Sequence, residues 1–142
     1  QVVHQVGERW LEETRAAYEA AGVVAEVVPF IEDMAAAYAH ADWVIARSGA
    51  LTVAEVATVG LAALFVPFPY AVDDHQTANA QALVDAGAAT VVQQADLTLE
   101  RLAEIIAAQH ERGLLLKQAD RARSLSHAQA LAKIIQEIET LL

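Results

Sequence analysis

Short apolar runs rich in valine and alanine alternate along this chain with longer segments whose apolar residues recur every three or four positions, and that rhythm leaves few folds open. A strand made almost wholly of apolar residues must be covered on both faces, and a strand–helix–strand repeat supplies that cover around a parallel sheet. The patterning predicts strands at Val2–Gln5, Val23–Val28, Trp43–Ala46, Ala63–Pro67 and Ala89–Val92. Between them it predicts helices at Glu8–Ala20, Met34–His40, Thr52–Gly60 and Asp74–Ala86. From Thr98 onward the pattern is purely helical, with segments at Leu99–His110, Leu115–Ser124 and Ala128–Leu142 that pack on the outside of the sheet or reach toward another domain. The expected fold is α/β, a Rossmann-like doubly wound parallel sheet followed by carboxy-terminal helices. No Gly-, Pro- or Ser-rich linker interrupts residues 1–142, which read as a single domain.

Composition narrows the function classes. A chain of 142 residues, 56% hydrophobic and 20% charged, can bury a real core. A formal charge of −10, with nine Lys and Arg scattered along the chain, argues against a surface that tracks nucleic-acid phosphates. No cysteine is present, so a disulfide framework is not available, and a cytoplasmic, reducing compartment is the expectation. The most apolar stretch, Gly60 to Val72, is interrupted by Pro67 and Pro69 and falls short of the roughly 20 residues of a membrane-spanning helix. The amino terminus has no basic segment, and Glu8, Glu12 and Glu13 stand where a signal peptide would stay apolar. The chain begins without Met, on residues that read as a strand already under way, so a longer parent polypeptide is expected.

In a doubly wound fold, ligands bind beyond the carboxyl ends of the strands, so the loops that follow the strands carry the weight. The first is Arg47-Ser48-Gly49-Ala50-Leu51-Thr52, ahead of a helix continuing through Glu55. Its glycine permits close backbone approach, and free amides at a helix start can receive a diphosphate. Thr52 and Glu55 also form a capping-box pattern, which the spacing alone favours. The second loop runs from Pro67 into Asp73-Asp74-His75-Gln76-Thr77-Ala78-Asn79. If Asp74 caps the helix, Gln76 and Asn79 share a face near its start, where amides can contact sugar hydroxyls; a plain solvated first turn is the simpler explanation. The third, Pro29-Phe30-Ile31-Glu32-Asp33-Met34, could receive a flat base or merely close over the core.

Other chemistry finds little support. The histidines at 4, 40, 75, 110 and 127 show no metal-ligand spacing among themselves, and neither a metal nor another cofactor is expected. Ser48 lacks the Gly-x-Ser-x-Gly elbow of a strained nucleophile. Trp10 and Trp43 are read as core or interface residues.

Taken together and in order, Phe30-Ile31-Glu32-Asp33-Met34, Arg47-Ser48-Gly49-Ala50-Leu51-Thr52-Val53-Ala54-Glu55, Pro67 and Asp74-His75-Gln76-Thr77-Ala78-Asn79-Ala80 resemble the carboxy-terminal domain of the MurG family. The likeness runs from about His4 to the end. It implies a two-domain, inverting glycosyltransferase of the GT-B type that moves N-acetylglucosamine from uridine diphosphate to a lipid-linked muramyl pentapeptide in peptidoglycan synthesis. The same likeness places the parent enzyme on the cytoplasmic face of the bacterial inner membrane. By motif position, Ile31 offers backbone groups to the uracil and Glu55 holds the ribose. Ala50, Leu51 and Thr52 surround the diphosphate and sugar, and Gln76 and Asn79 read the N-acetylglucosamine hydroxyls. Arg47, Ser48, Gly49 and His75 complete the binding set, and no catalytic residue is assigned.

Two departures from the family pattern are expected to matter. The family's first strand and Gly-Gly-Ser phosphate loop would precede Gln1, as would the amino-terminal domain that holds the acceptor site and proposed base. The chain alone is therefore expected to lack transferase activity. A separately encoded donor-binding subunit and a non-catalytic nucleotide-sugar-binding module are the alternative readings.

Overall fold

A computed structural model describes residues 1–71, 74–109, 111–126 and 130–141. Asp73 of the second loop, His110, His127 and the outermost predicted helical positions Ala128 and Leu142 lie outside the described residues. The chain divides into two compact units, Gln1–His40 and Ala41–Leu142.

In the first unit, strand β1 (Val2–Gln5) pairs in parallel with β2 (Ala25–Val28), with Val2 opposite Ala25 and Gln5 opposite Val28. Glu8–Trp10 form a single 3-10 turn before helix α1 (Leu11–Ala20), so the predicted helix from Glu8 begins more tightly wound than expected. The second strand starts at Ala25, two residues later than predicted. Residues 21–24 instead close the end of α1, and the Val23 amide bonds back to the Tyr18 carbonyl at 3.0 Å. Helix α2 (Met34–His40) follows, and its start is tied by Asp33 Oδ1, which accepts the Ala36 amide at 2.9 Å.

The second unit holds strands β3 (Trp43–Ala46), β4 (Ala62–Phe65) and β5 (Ala89–Val91) in the order β3-β4-β5, all parallel. All four residues of β4 are buried, as a central strand flanked on both edges and covered on both faces requires. Hydrogen bonding continues past the strand ends: the Val66 amide donates to Ala46 O at 2.8 Å and the Val92 amide to Phe65 O at 3.0 Å. Pro67, with no amide hydrogen, is fully buried directly beyond, and the chain leaves the sheet there.

Helices α3 (Ala50–Val59), α4 (His75–Asp85), α5 (Leu99–Ala108), α6 (Arg112–Ser124) and α7 (Ala130–Thr140) complete this unit. Leu64, Val66, Val92 and Ile105 form a buried cluster with the partly buried Trp43, Leu97 and Leu102 packed against it, so Trp43 meets the core as expected, whereas Trp10 in the first unit is exposed. Helix α6 lies against α3 and β4 and begins three residues before its predicted start. Its last turn sends Arg123 Nη2 to the Val59 carbonyl (3.0 Å) and Arg121 Nη1 to the Gly87 carbonyl (3.2 Å). Both receiving carbonyls lie where a preceding helix, α3 or α4, runs out. A cation there also meets the negative end of the helix dipole. The parallel α/β class predicted from the patterning therefore holds, with helices packed on the strands. No helix among the described residues is long and apolar enough to cross a membrane.

Candidate functional site

The candidate site in the second unit is built at the carboxyl ends of β3, β4 and β5. Helix α3 starts at Ala50 with Gly49 at its N-cap position, in extended conformation (φ −61°, ψ 148°). Thr52 is thus the third helical residue and not the cap, so the capping-box expectation for Thr52 and Glu55 is corrected. The helix thus begins two residues earlier than the patterning predicted. With no side-chain cap, the amides at Ala50, Leu51 and Thr52 stand at the positive end of the helix dipole, an arrangement suited to an anion. Leu51 and Glu55 are exposed, and Thr52 is half-buried.

Around this helix start the side chains are committed to each other's backbones. Arg47 Nη1 donates to the carbonyls of Val66 (3.1 Å) and Pro67 (2.9 Å), and Nη2 donates to Gln94 Oε1 (2.7 Å). Its guanidinium carbon lies 5.7 Å from the Phe68 ring centroid. Ser48 is fully buried, and its hydroxyl has no hydrogen-bond partner among the described residues. Of the Ser48 groups, the structure uses the carbonyl, which accepts from Asn79 Nδ2 at 3.0 Å.

Helix α4 enters from Asp74, which sits at the cap position in the left-handed region (φ 49°) and makes no side-chain bond to a helix amide. Its carboxylate instead accepts the Thr77 hydroxyl at 2.7 Å, and Thr77 Oγ1 accepts from Gln93 Nε2 at 2.9 Å. The expected Asp74 cap is therefore present in position but not in bonding. His75 is the first residue of α4 and is exposed. Gln76 Oε1 accepts the Phe68 amide at 2.9 Å. Gln76 and Asn79 are both half-buried, and these bonds use only one end of each amide.

In the first unit, the Ile31 amide donates to Gln5 Oε1 at 3.0 Å, which leaves its carbonyl as the group a base could meet. The second unit thus brings Arg47, Ser48, Gly49, Ala50, Gln76 and Asn79 into one bonded framework, while Ile31 belongs to the first. Sequence reasoning missed Gln5, Gln93 and Gln94. The signal for the last two was available, because consecutive amide side chains directly after β5 occupy the kind of loop where a doubly wound fold places its ligands.

Comparisons with known proteins fit this framework. The family model described as the glycosyltransferase family 28 C-terminal domain matches residues 1–138. A relative from Dichelobacter nodosus, named UDP-N-acetylglucosamine--N-acetylmuramyl-(pentapeptide) pyrophosphoryl-undecaprenol N-acetylglucosamine transferase, is 60% identical over 141 residues, covering 99% of this chain and 39% of the relative. One of the same name from Burkholderia multivorans is 55% identical over 144 residues, with 99% of this chain and 39% of the relative covered. The crystal structure of Acinetobacter baumannii MurG superposes with a TM-score of 0.89 at 47% identity, covering 97% of this chain and 40% of that one. The chain spans about two fifths of the length of these relatives. With parallel strands, a helix start open to an anion and a family match along nearly its whole length, the chain belongs to glycosyltransferase family 28, as its carboxy-terminal domain.

Proposed function

We propose that this chain binds the nucleotide-sugar donor, uridine diphosphate N-acetylglucosamine, within an inverting N-acetylglucosaminyltransferase that acts on a lipid-linked muramyl pentapeptide during peptidoglycan synthesis. The names of the relatives support that donor and acceptor. The observation that carries the reading is the Asn79–Ser48 bond, which joins a pair of sugar-competent amides to a helix start suited to a diphosphate.

The chemistry follows from that placement. The acceptor hydroxyl oxygen bonds to the anomeric carbon from the face opposite the nucleotide, the bond from that carbon to the diphosphate oxygen breaks, and the nucleotide leaves with the electron pair. Charge grows on the diphosphate as the bond breaks, and the amides of Ala50, Leu51 and Thr52 meet it. Gln76 Nε2 can donate and Asn79 Oδ1 can accept, a complementary pair for sugar hydroxyls. Glu55 is assigned to the ribose, the Ile31 carbonyl to the base, and exposed His75 to the rim of the donor site. The base that takes the acceptor proton and the lipid-binding surface are assigned to the rest of the longer polypeptide, which works at the cytoplasmic face of the inner membrane.

Saturation-transfer NMR on folded residues 1–142 with millimolar donor tests the binding: transfer to the uridine protons is expected, and its absence would count directly against the reading. Residues 1–142 alone should give no transfer of radiolabelled N-acetylglucosamine to a lipid acceptor analogue, because near-attack alignment of acceptor, base and donor contributes about 7–11 kcal/mol and this chain holds only the donor.

A further inference from the structure

We propose that Gln94 is a positioning residue for the donor site, acting through Arg47, and that Arg47 braces the site instead of binding phosphate. The inference rests on the reading of the α3 start as the diphosphate grip. Arg47 Nη1 donates to both the Val66 and the Pro67 carbonyls, and Nη2 donates to Gln94 Oε1. One planar fork therefore touches the segments that follow β4 and β5 from its own place directly after β3.

The geometry explains what Gln94 adds. Two bonds from one nitrogen to neighbouring carbonyls leave the guanidinium able to tilt, and a third acceptor at 2.7 Å, on the other terminal nitrogen, fixes its plane. Only Ser48 separates Arg47 from Gly49, so anchoring the Arg47 side chain to the ends of β4 and β5 holds the segment that leads into the α3 start. The braced segment also reaches the sugar side: Pro67 precedes Phe68, whose amide Gln76 accepts. Gln94 is exposed, and among the described residues its side chain bonds Arg47.

The test uses the full-length polypeptide that carries this chain, with calorimetric binding of uridine diphosphate N-acetylglucosamine and far-ultraviolet circular dichroism to follow folding. Gln94→Leu and the one-methylene-shorter Gln94→Asn are expected to weaken binding about tenfold, the scale of one charge-assisted hydrogen bond. Gln94→Glu keeps an acceptor oxygen and should stay within about twofold of the parent. In an Arg47→Lys background, Gln94→Leu should add less than about twofold, because its partner is already gone. Three results would overturn the proposal: affinity unchanged in Gln94→Leu and Gln94→Asn, no rescue by Gln94→Glu, or full additivity with Arg47→Lys. Glu55→Ala separates this from failure of the donor reading. Weakened binding in Glu55→Ala with none in the Gln94 variants removes only the positioning role, whereas undiminished binding in both removes the donor reading and this proposal with it.

Discussion

Asn79 Nδ2 donates to the carbonyl oxygen of Ser48 across 3.0 Å, joining the early part of α4 to the residue just ahead of the α3 start. The bond fixes the spacing between two loops that follow different strands. It also orients the Asn79 amide so that its oxygen is the end left for a ligand. Asn79→Ala should therefore lower folding stability by about 1 kcal/mol, the net value of a part-buried hydrogen bond. It should also shrink the preference for the sugar donor over free uridine diphosphate. Urea unfolding and competition binding read the two effects separately, and equal weakening toward both ligands would move Asn79 off the sugar.

Gly49 offers a cleaner probe of the helix start. Among the described residues an added Cβ would meet only Thr52 Oγ1, at 3.9 Å, and the backbone angles there suit any residue. Gly49→Ala should consequently fold normally, with Tm within a few degrees of the parent, yet obstruct close approach of a diphosphate and raise the donor KM by roughly tenfold, about 1.4 kcal/mol. An unchanged KM in the full-length enzyme would show that the ligand does not approach the backbone at Gly49.

At the opposite end of α3, Gly60 adopts φ +75°, and a Cβ there would fall 2.8 Å from Arg123 Nε and Nη2. Gly60→Ala should destabilise by about 2 kcal/mol, combining left-handed strain with displacement of the arginine. Arg123→Ala alone should lose about 1 kcal/mol through the Val59 carbonyl contact. Because both changes disturb one contact, the double variant should fall short of their sum, and denaturant midpoints can decide it.

Glu100 carries a pH dependence set by its local hydrogen bonds. The backbone hydrogen bond of Glu100, and secondarily the Thr98 hydroxyl, hold its carboxyl below the usual carboxylate range. A lowered folded-state value means that the stabilisation is present above the unfolded pKa and is lost as pH falls through the folded one. Glu100 is fully exposed, so the effect is read at the residue by NMR titration. Thr98→Ala should raise the Glu100 pKa part of the way to its ordinary value, leaving the backbone contribution in place. The same variant removes the N-cap bond from the Arg101 amide to Thr98 Oγ1 at 3.1 Å, which should lower stability by about 1 kcal/mol. An unmoved Glu100 pKa in Thr98→Ala would exclude the hydroxyl as a cause.

The amino-acid sequence by itself determined the parallel α/β class, the strands Val2–Gln5 and Trp43–Ala46 to the residue, and the helix Met34–His40. Those follow from apolar periodicity and from covering a strand on both faces, which are properties of neighbours along the chain. It also marked Arg47 through Glu55 and His75 through Asn79 as the segments of interest, because glycine and amides after strands are local signals. Where α3 begins, and which groups each site residue engages, only the tertiary structure decided. Thr52 and Glu55 carry a capping pattern, but the helix starts earlier, with Gly49 at the cap position and Thr52 already in the first turn. The family resemblance puts Arg47 in the donor-binding set, yet its donors meet Val66, Pro67 and Gln94, which are 19, 20 and 47 residues away. Hydrogen bonds over such separations form only after strand register has brought the ends of β3, β4 and β5 together, and no local pattern encodes that meeting.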